Sequence, residues 1–352
     1  MIEHQRRRLR RGTAAGLGAV LALSMALPAG ADTVVTPVVE DVAMPLGLAI
    51  GEDGTIYVAE AFFALTTVDR DSNRTTRYEG AVGGVDATGK GNVAVVGGGP
   101  TQLTALQPSG RTSFVASLED HETAVNPDGG VRYGFVDADE ACQAELGAIA
   151  DFLVPYDGIV ESNPYAVAVA GGEWFVADAA GNTIVRVGRN GRVSTHAVLP
   201  PVPVTFTQEL VDGIAEQYGI ALPSCVVGQR FLAEPVPTDV EVGPDGDLYV
   251  SSLPGFPELP GMGGVFRVDR RSGAASSVAT GLTGAVDLAV AGDGTIYVAE
   301  LFAGRISAVS GGAVSTLVEV DSPAAIEVAR DGTVYATTGA FGPSGAVVTI
   351  TP

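Results

Sequence analysis

The phrase GDGTIYVAELF at residues 292–302 is nearly a copy of EDGTIYVAEAF at residues 52–62. Weaker copies stand at 89–99 (GKGNVAVVGGG), 171–181 (GGEWFVADAAG), 244–254 (PDGDLYVSSLP) and 330–340 (RDGTVYATTGA). Six copies of one short unit, at a period of about 40 residues, demand an architecture that itself repeats. Each copy reads as an apolar strand such as LGLAI or VDLAV, a tight turn, and a second strand ending near an acidic or hydroxyl residue. A third strand (TIVRV, GVFRV, RISAV) and a fourth (VSTHAVL, SSVAT, VSTLVEV) follow. Asp-Gly between alternating strands is a hairpin signal, because glycine accepts the positive φ that the turn needs. Four short antiparallel strands per unit predict the blades of a β-propeller rather than a helical solenoid.

The two ends of the chain support a closed ring. The last unit has three strands, PAAIEVA, TVYATTG and AVVTITP, and lacks a fourth. The strand-like segment TVVTPVVEDV (33–42) precedes the first complete unit and can supply the missing outer strand, which removes the sheet edges that invite aggregation. The expected fold class is all-β: a six-bladed β-propeller whose N-terminal strand closes the last blade, spanning residues 32–352 as one domain.

Residues 1–31 stand apart. Arg6, Arg7, Arg8, Arg10 and Arg11 precede the apolar run AAGLGAVLALSMAL, and Ala29-Gly30-Ala31 offers the small residues that a signal peptidase needs. The segment reads as an export signal cleaved after Ala31, by the Sec or the twin-arginine route. The run is short for a membrane span of about 20 residues. A secreted, soluble, monomeric product, extracellular or periplasmic, is expected. Removing the segment leaves 15 basic and 40 acidic residues, a net charge of −25. Nucleic acid is then an improbable partner, because no basic stripe remains to neutralise phosphates. Such acidity serves solvation first, with a cationic ligand or calcium as the sharper alternative.

Two stretches break the repeat, at about 119–163 and 201–236. Each joins the outer strand of one blade to the inner strand of the next, so both should emerge on one face. Each carries a helix-like piece, DEACQAELGAIADFL and TQELVDGIAEQYGI, with apolar residues near helical spacing. Each also holds one of the two cysteines, Cys142 and Cys225, for which a disulfide is the expectation in an exported chain. Long ordered loops on one propeller face make a lid or a binding rim.

The catalytic inventory is thin. Past the leader the histidines are His121, beside Glu122 at the start of the first insertion, and His196 in an outer-strand pattern. Neither has metal-ligand spacing. There is no GxSxG elbow, no HExxH and no phosphate-binding glycine loop. Carboxylates say more. Asp239 and Asp287 occupy the same place, six residues before the turn aspartate, in the inner strands of adjacent blades. Residues ending the second strands, Glu60, Asp178, Ser252, Glu300 and Thr338, form a polar ring at that end. These acids can pair with third-strand arginines, Glu300 with Arg305 above all, or cap loop amides. Alternatively Asp239 and Asp287 hold a cation or a polar ligand group, since close like charges do not both stay ionised without one. Hairpin register, uncertain by one residue, decides which way they face.

Aromatics gather at the same end. Phe62, Phe63, Phe256, Phe302 and Phe341 lie in loops joining second to third strands, with Tyr133 and Phe135 in the first insertion and Arg230 and Phe231 in the second. They either pack beneath a lid or line a concave ligand mouth. The acidic run Asp137, Asp139, Glu140 lacks a full calcium-loop pattern.

VADAAGNTIVRV and VAELFAGRISAV resemble the NHL repeat. Together with NPYAVAV, VPTDVEVGPDGDLYVSSLPGFPELPG and the paired insertions, most of the chain past the leader resembles the ScyD/ScyE family of exported propellers. The resemblance implies fold and export and gives no reaction to carry over. Gluconolactonase-like propellers also have six blades, and hold a divalent metal one residue before the positions of Asp239 and Asp287. This chain has Thr238 and Val286 there, with Tyr165 and Leu46 in two other blades, so those ligands are absent. The expected function is binding of a small molecule or an extracellular protein on the lidded face, through Asp239, Asp287, Glu300, Glu60, Asp178, Tyr165, Phe62, Phe256, Phe302 and Phe341. No catalytic residues and no cofactor are assigned, calcium excepted as an option. Two alternatives stay open: a metal-assisted hydrolase or accessory enzyme of secondary metabolism using Asp239 and Asp287, and an interaction scaffold.

Overall fold

Along each repeat the burial pattern changes from strand to strand. The second strand of the first blade, Ile56–Glu60, buries four of its five side chains, whereas the fourth, Arg74–Glu79, buries none fully. Inner strands are sandwiched between neighbouring blades on both faces, so they read as continuous apolar runs, and outer strands face water. The computed structural model describes residues 33–61, 63–97 and 101–351. The expected leader and its cleavage site lie outside them, as does Phe62.

Six four-stranded antiparallel sheets form the ring. Blades 1 to 5 begin at inner strands Pro45–Ile50, Gly84–Gly89, Pro164–Ala170, Pro237–Val242 and Ala285–Val290, and each runs inner to outer in chain order. Blade 6 takes Ile326–Val328, Val334–Thr338 and Gly345–Thr351 from the C-terminal end and Val34–Val42 as its outer strand. That closing strand pairs antiparallel with the last one, from Val34 opposite Thr351 to Val42 opposite Gly345, and buries Val39 and Val42. The core lies between blades. Ala166, Ala168, Phe175 and Ala177 of blade 3, for example, pack on Val240, Leu248 and Val250 of blade 4, where each fully buried Val or Leu stabilises by roughly 1.5–3 kcal/mol.

The two insertions form one lid with its own core. The first holds helices α1 (Leu118–Val125) and α2 (Glu140–Gly147), and the second holds α3 (Gln208–Tyr218). The helix expected over 139–153 stops at Gly147 and resumes as a short 3-10 turn at Asp151–Leu153, because Ala150 between them is extended. Helix α1 was not legible, since LEDHETAV carries no clear apolar stripe; Ser117 caps it through Asp120 N–H. Cys142 and Cys225 are disulfide-bonded, with Cα atoms 5.9 Å apart. Gly134 and Leu232 exchange backbone hydrogen bonds of 2.9 and 3.0 Å between the insertions, and Phe135 packs edge-on against Phe206 and Phe231 at 4.6 and 5.0 Å. Among the described residues no helix is long and apolar enough to cross a membrane.

Candidate functional site

The inner strands of blades 1, 3, 4 and 5 all break register at one place, between Pro45 and Gly47, Pro164 and Ala166, Pro237 and Asp239, and Ala285 and Asp287. Such a bulge re-aims the side chains beside it. Leu46, Gly47, Tyr165, Thr238, Asp239 and Asp287 thereby line one narrow bore on the propeller axis, together with Glu241 and Glu327. The bulge also settles the register: Asp287 stands opposite Ala299, and Glu300 opposite Ala285.

The structure thus brings Asp239, Asp287 and Tyr165 together, and adds acids that the sequence analysis missed. Glu241 follows Asp239 by two residues and faces the same side. The matching positions in blades 2 and 6 hold Asp86 and Glu327. This period of two was the available signal. The aspartates also have structural partners. Asp239 Oδ2 accepts from Leu288 N at 3.1 Å, Asp287 Oδ1 from Ile326 N at 2.9 Å and Asp86 Oδ2 from Val169 N at 2.7 Å, each clasping the inner strand of the next blade. Burial pushes the Asp86 and Asp239 carboxyls up to about 7, opposed by those same hydrogen bonds. Burial, and then the neighbouring carboxylates, push Glu241 and Asp287 well above the usual range; burial and then Asp86 and Asp239 do the same for Glu327. The surface that Glu241, Asp287 and Glu327 retain faces this bore, whose free volume is about 20 Å3. That is room for about one water molecule, so this exposure is not bulk hydration.

The acids ending the second strands are clamps on the loops around them. Glu300, fully buried, is gripped by Arg305 at 2.7 and 2.9 Å, by the Ser307 hydroxyl and by Thr283 N at 2.6 Å. Burial alone would raise its pKa, but the Arg305 and Ser307 hydrogen bonds outweigh it and hold the carboxyl below its ordinary value. Glu60 accepts from Ala43 N at 2.9 Å and from the Thr66 hydroxyl. Asp178 accepts from Asn163 N and the Ser162 hydroxyl, both at 2.6 Å, and from Gly181 N at 3.2 Å. In the acidic run, Asp139 caps α2 through Cys142 N and Asp137 pairs with Arg230 at 3.2 Å.

The aromatic residues do not form one ring. Phe256 packs into the lid, 5.2 Å from Phe152 and 5.6 Å from Phe231. Phe302 lines a separate cavity of about 320 Å3 with Tyr218 and Leu259, and Phe341 is exposed. His196 packs edge-on against Phe175, and His121 Nε2 lies 2.8 Å from Thr195 Oγ1.

The lid itself holds a partly open pocket of about 510 Å3, walled by Phe152, Ile159, Phe231 and Phe256 on its apolar side and by Asp151, Tyr156, Glu161 and Glu234 on its polar side. Glu234 accepts from the Tyr156 hydroxyl at 2.9 Å, and burial raises its pKa. No Lys, Arg or His is among these wall residues. Of them, Phe256 and Phe231 were anticipated, as aromatics of a lid or a ligand mouth. Asp151, Phe152, Tyr156, Ile159, Glu161 and Glu234 sit on loops and elements of two or three residues within the insertions, too short for a period to tell which way a side chain points.

No known family model matches the sequence, and no curated protein matches it. Among solved structures the chain is similar to virginiamycin B lyase from Staphylococcus aureus, at 12% identity over 91% of this chain and 99% of that one, with a TM-score of 0.51. A gluconolactonase from Xanthomonas campestris aligns at 12% identity over 91% and 90% of the two chains, TM-score 0.56. A putative glucose dehydrogenase from Thermus thermophilus aligns at 16% identity over 91% and 100%, TM-score 0.56. At these identities the likeness is one of fold, and the fold is the six-bladed propeller.

Proposed function

We propose that this protein binds a small molecule on its lidded face, in the cavity between Phe152, Phe231 and Phe256 and the Tyr156–Glu234 pair. Volume decides between this cavity and the axial bore. About 510 Å3 falls in the range of ligand pockets, whereas about 20 Å3 admits one water and no organic substrate. The walls fit a ligand with a flat apolar body and a hydrogen-bond-donating or cationic end, because every charged wall group is a carboxylate. The Cys142–Cys225 disulfide supports an exported setting for this role. The structural neighbours carry enzyme names, and at 12–16% identity they share the fold alone. Metal-assisted hydrolysis at Asp239 and Asp287 has less support, since among the described residues no three His, Cys, Asp or Glu side chains converge to hold an ion.

The test is ligand-observed NMR with 2-(1-naphthyl)ethylamine and, as its anionic counterpart, 1-naphthaleneacetate. Binding of the amine that is lost in Phe256→Ala supports the reading. Absence of binding by either probe at millimolar concentration, or binding indifferent to Phe256→Ala, overturns it.

A further inference from the structure

Blades 3 and 5 place an acid at the same point and treat it differently. In blade 5, Glu300 ends the second strand and its cross-strand neighbour is Arg305, whose guanidinium neutralises it. In blade 3, Asp178 ends the second strand and its cross-strand neighbour is Thr183. Directly opposed residues project to the same side of a sheet, so Thr183 stands where the cation stands in blade 5. Thr183 is fully buried and its hydroxyl has no hydrogen-bond partner.

What approaches Asp178 instead is a second carboxylate. Glu122 of helix α1 is 2% exposed and its Oε1 has no partner; Asp128 just beyond is 1% exposed and its Oδ1 has none either. A Cβ built on Gly181 would stand 3.2 Å from Glu122 Oε2, 3.4 Å from the Asp178 carboxyl carbon and 3.4 Å from the Glu161 carbonyl oxygen. Two carboxylates and a carbonyl therefore crowd one buried spot. The groups that bond Asp128 and Asp178 are neutral: Tyr133, Asn182, Ser162 and backbone N–H. The nearby imidazole of His121 has its Nε2 engaged with Thr195 Oγ1 at 2.8 Å.

We propose that Glu122, Asp178 and the Glu161 carbonyl bind a calcium ion beside Gly181, which supplies in blade 3 the positive charge that Arg305 supplies in blade 5 and pins helix α1 to the ring. Hard oxygen donors of mixed carboxylate and carbonyl type select calcium over transition metals. Two carboxylates are short of the three-acid convergence that is absent among the described residues, so water completes the shell and the affinity falls in the weak class, about 0.1–1 mM.

The experiment is calorimetric titration of chelator-treated protein with calcium chloride, magnesium chloride serving as control, on the parent and three variants. Glu122→Gln removes one ligand charge. Gly181→Ala leaves every charge in place and pushes a methyl group into the oxygen cradle. Asp239→Asn with Asp287→Asn reports on the axial acids. Expected are one calcium per chain in the parent, affinity weakened more than about tenfold in Glu122→Gln and Gly181→Ala, and no change in the axial double variant. The proposal is overturned if the parent takes up no calcium by about 10 mM, if Glu122→Gln and Gly181→Ala both bind as the parent does, or if binding is lost only in the axial variant. Circular dichroism of each variant confirms that the comparison is made on folded protein.

Discussion

The Asp239 carboxylate accepts the backbone N–H of Leu288 at 3.1 Å, so a side chain of blade 4 closes a hydrogen bond on the inner edge of blade 5. Asp287 repeats the gesture toward Ile326 of blade 6. These acids are therefore structural clasps that also concentrate negative charge on the axis, and the two roles conflict as pH rises.

That conflict sets a pH dependence. Burial raises the folded-state pKa of Asp86 and Asp239 to about 7 from an ordinary 3.8. The folded chain then holds protons that the unfolded chain releases. Their contribution is intact below pH about 4, erodes as pH rises from there to about 7, and is lost above it. Asp239→Asn with Asp287→Asn keeps a carbonyl acceptor for each N–H and cannot ionise. The double variant should melt at least about 3 °C above the parent at pH 8, with the gap closing by pH 4. Equal Tm differences at both pH values would show that ionisation on the axis costs nothing.

Glu300 and Arg305 form the clearest buried ion pair, with Glu300 fully buried and Arg305 31% exposed. Arg305→Met should destabilise by about 2–3 kcal/mol, less than for a fully enclosed pair because water reaches the guanidinium. Adding Glu300→Gln should restore part of that loss. Urea unfolding of both single variants and the double variant measures the coupling.

Reducing the Cys142–Cys225 bond opens a loop with a sequence separation of 83 residues, worth roughly 4.5 kcal/mol in the chain-entropy description. The bond ties one insertion to the other and not blade to blade. Hydrogen exchange after reduction should therefore quicken in α2 and α3 while the inner strands stay protected. Uniform exchange across the chain would mean that lid and ring unfold together.

Ring closure makes a fourth prediction. Removing residues 33–39 strips blade 6 of most of its outer strand and of Val39, which is 5% exposed. Tm should fall by at least about 5 °C, and the bared edge of Gly345–Thr351 should promote self-association, read by light scattering. An unchanged Tm with a monodisperse product would show that the other strands hold the ring alone.

The fold was legible because a propeller writes itself into sequence repeatedly: GDGTIYVAELF and EDGTIYVAEAF specify the same hairpin, and the three-strand last unit announces its missing partner. The site was legible only where it shares that periodicity. Asp239 and Asp287 stand out by register, and Glu241 and Glu327 follow from the strand period. Glu122, Asp128, Tyr156 and Glu234 lie on insertion backbone, and their neighbours are chosen by tertiary packing that no local pattern records. Helix α1 was missed for the same reason, as its Leu118 and Glu122 are buried by the ring and not by an apolar stripe of its own.

Val34 and Thr351 are paired strand neighbours at opposite ends of the described chain. During synthesis the strand that finishes the ring emerges first and its mate last, so no order of local folding completes the circle early. Five blades can assemble as they appear, while Val34–Val42 waits unpaired through the interval. Its mixed, mostly exposed face, with Glu40 and Asp41 near its end, suits a segment that must stay soluble until then. Closure is thus a late, long-range event that should appear as the slow phase of refolding, and a chain cut short anywhere upstream of Gly345 has no route to it.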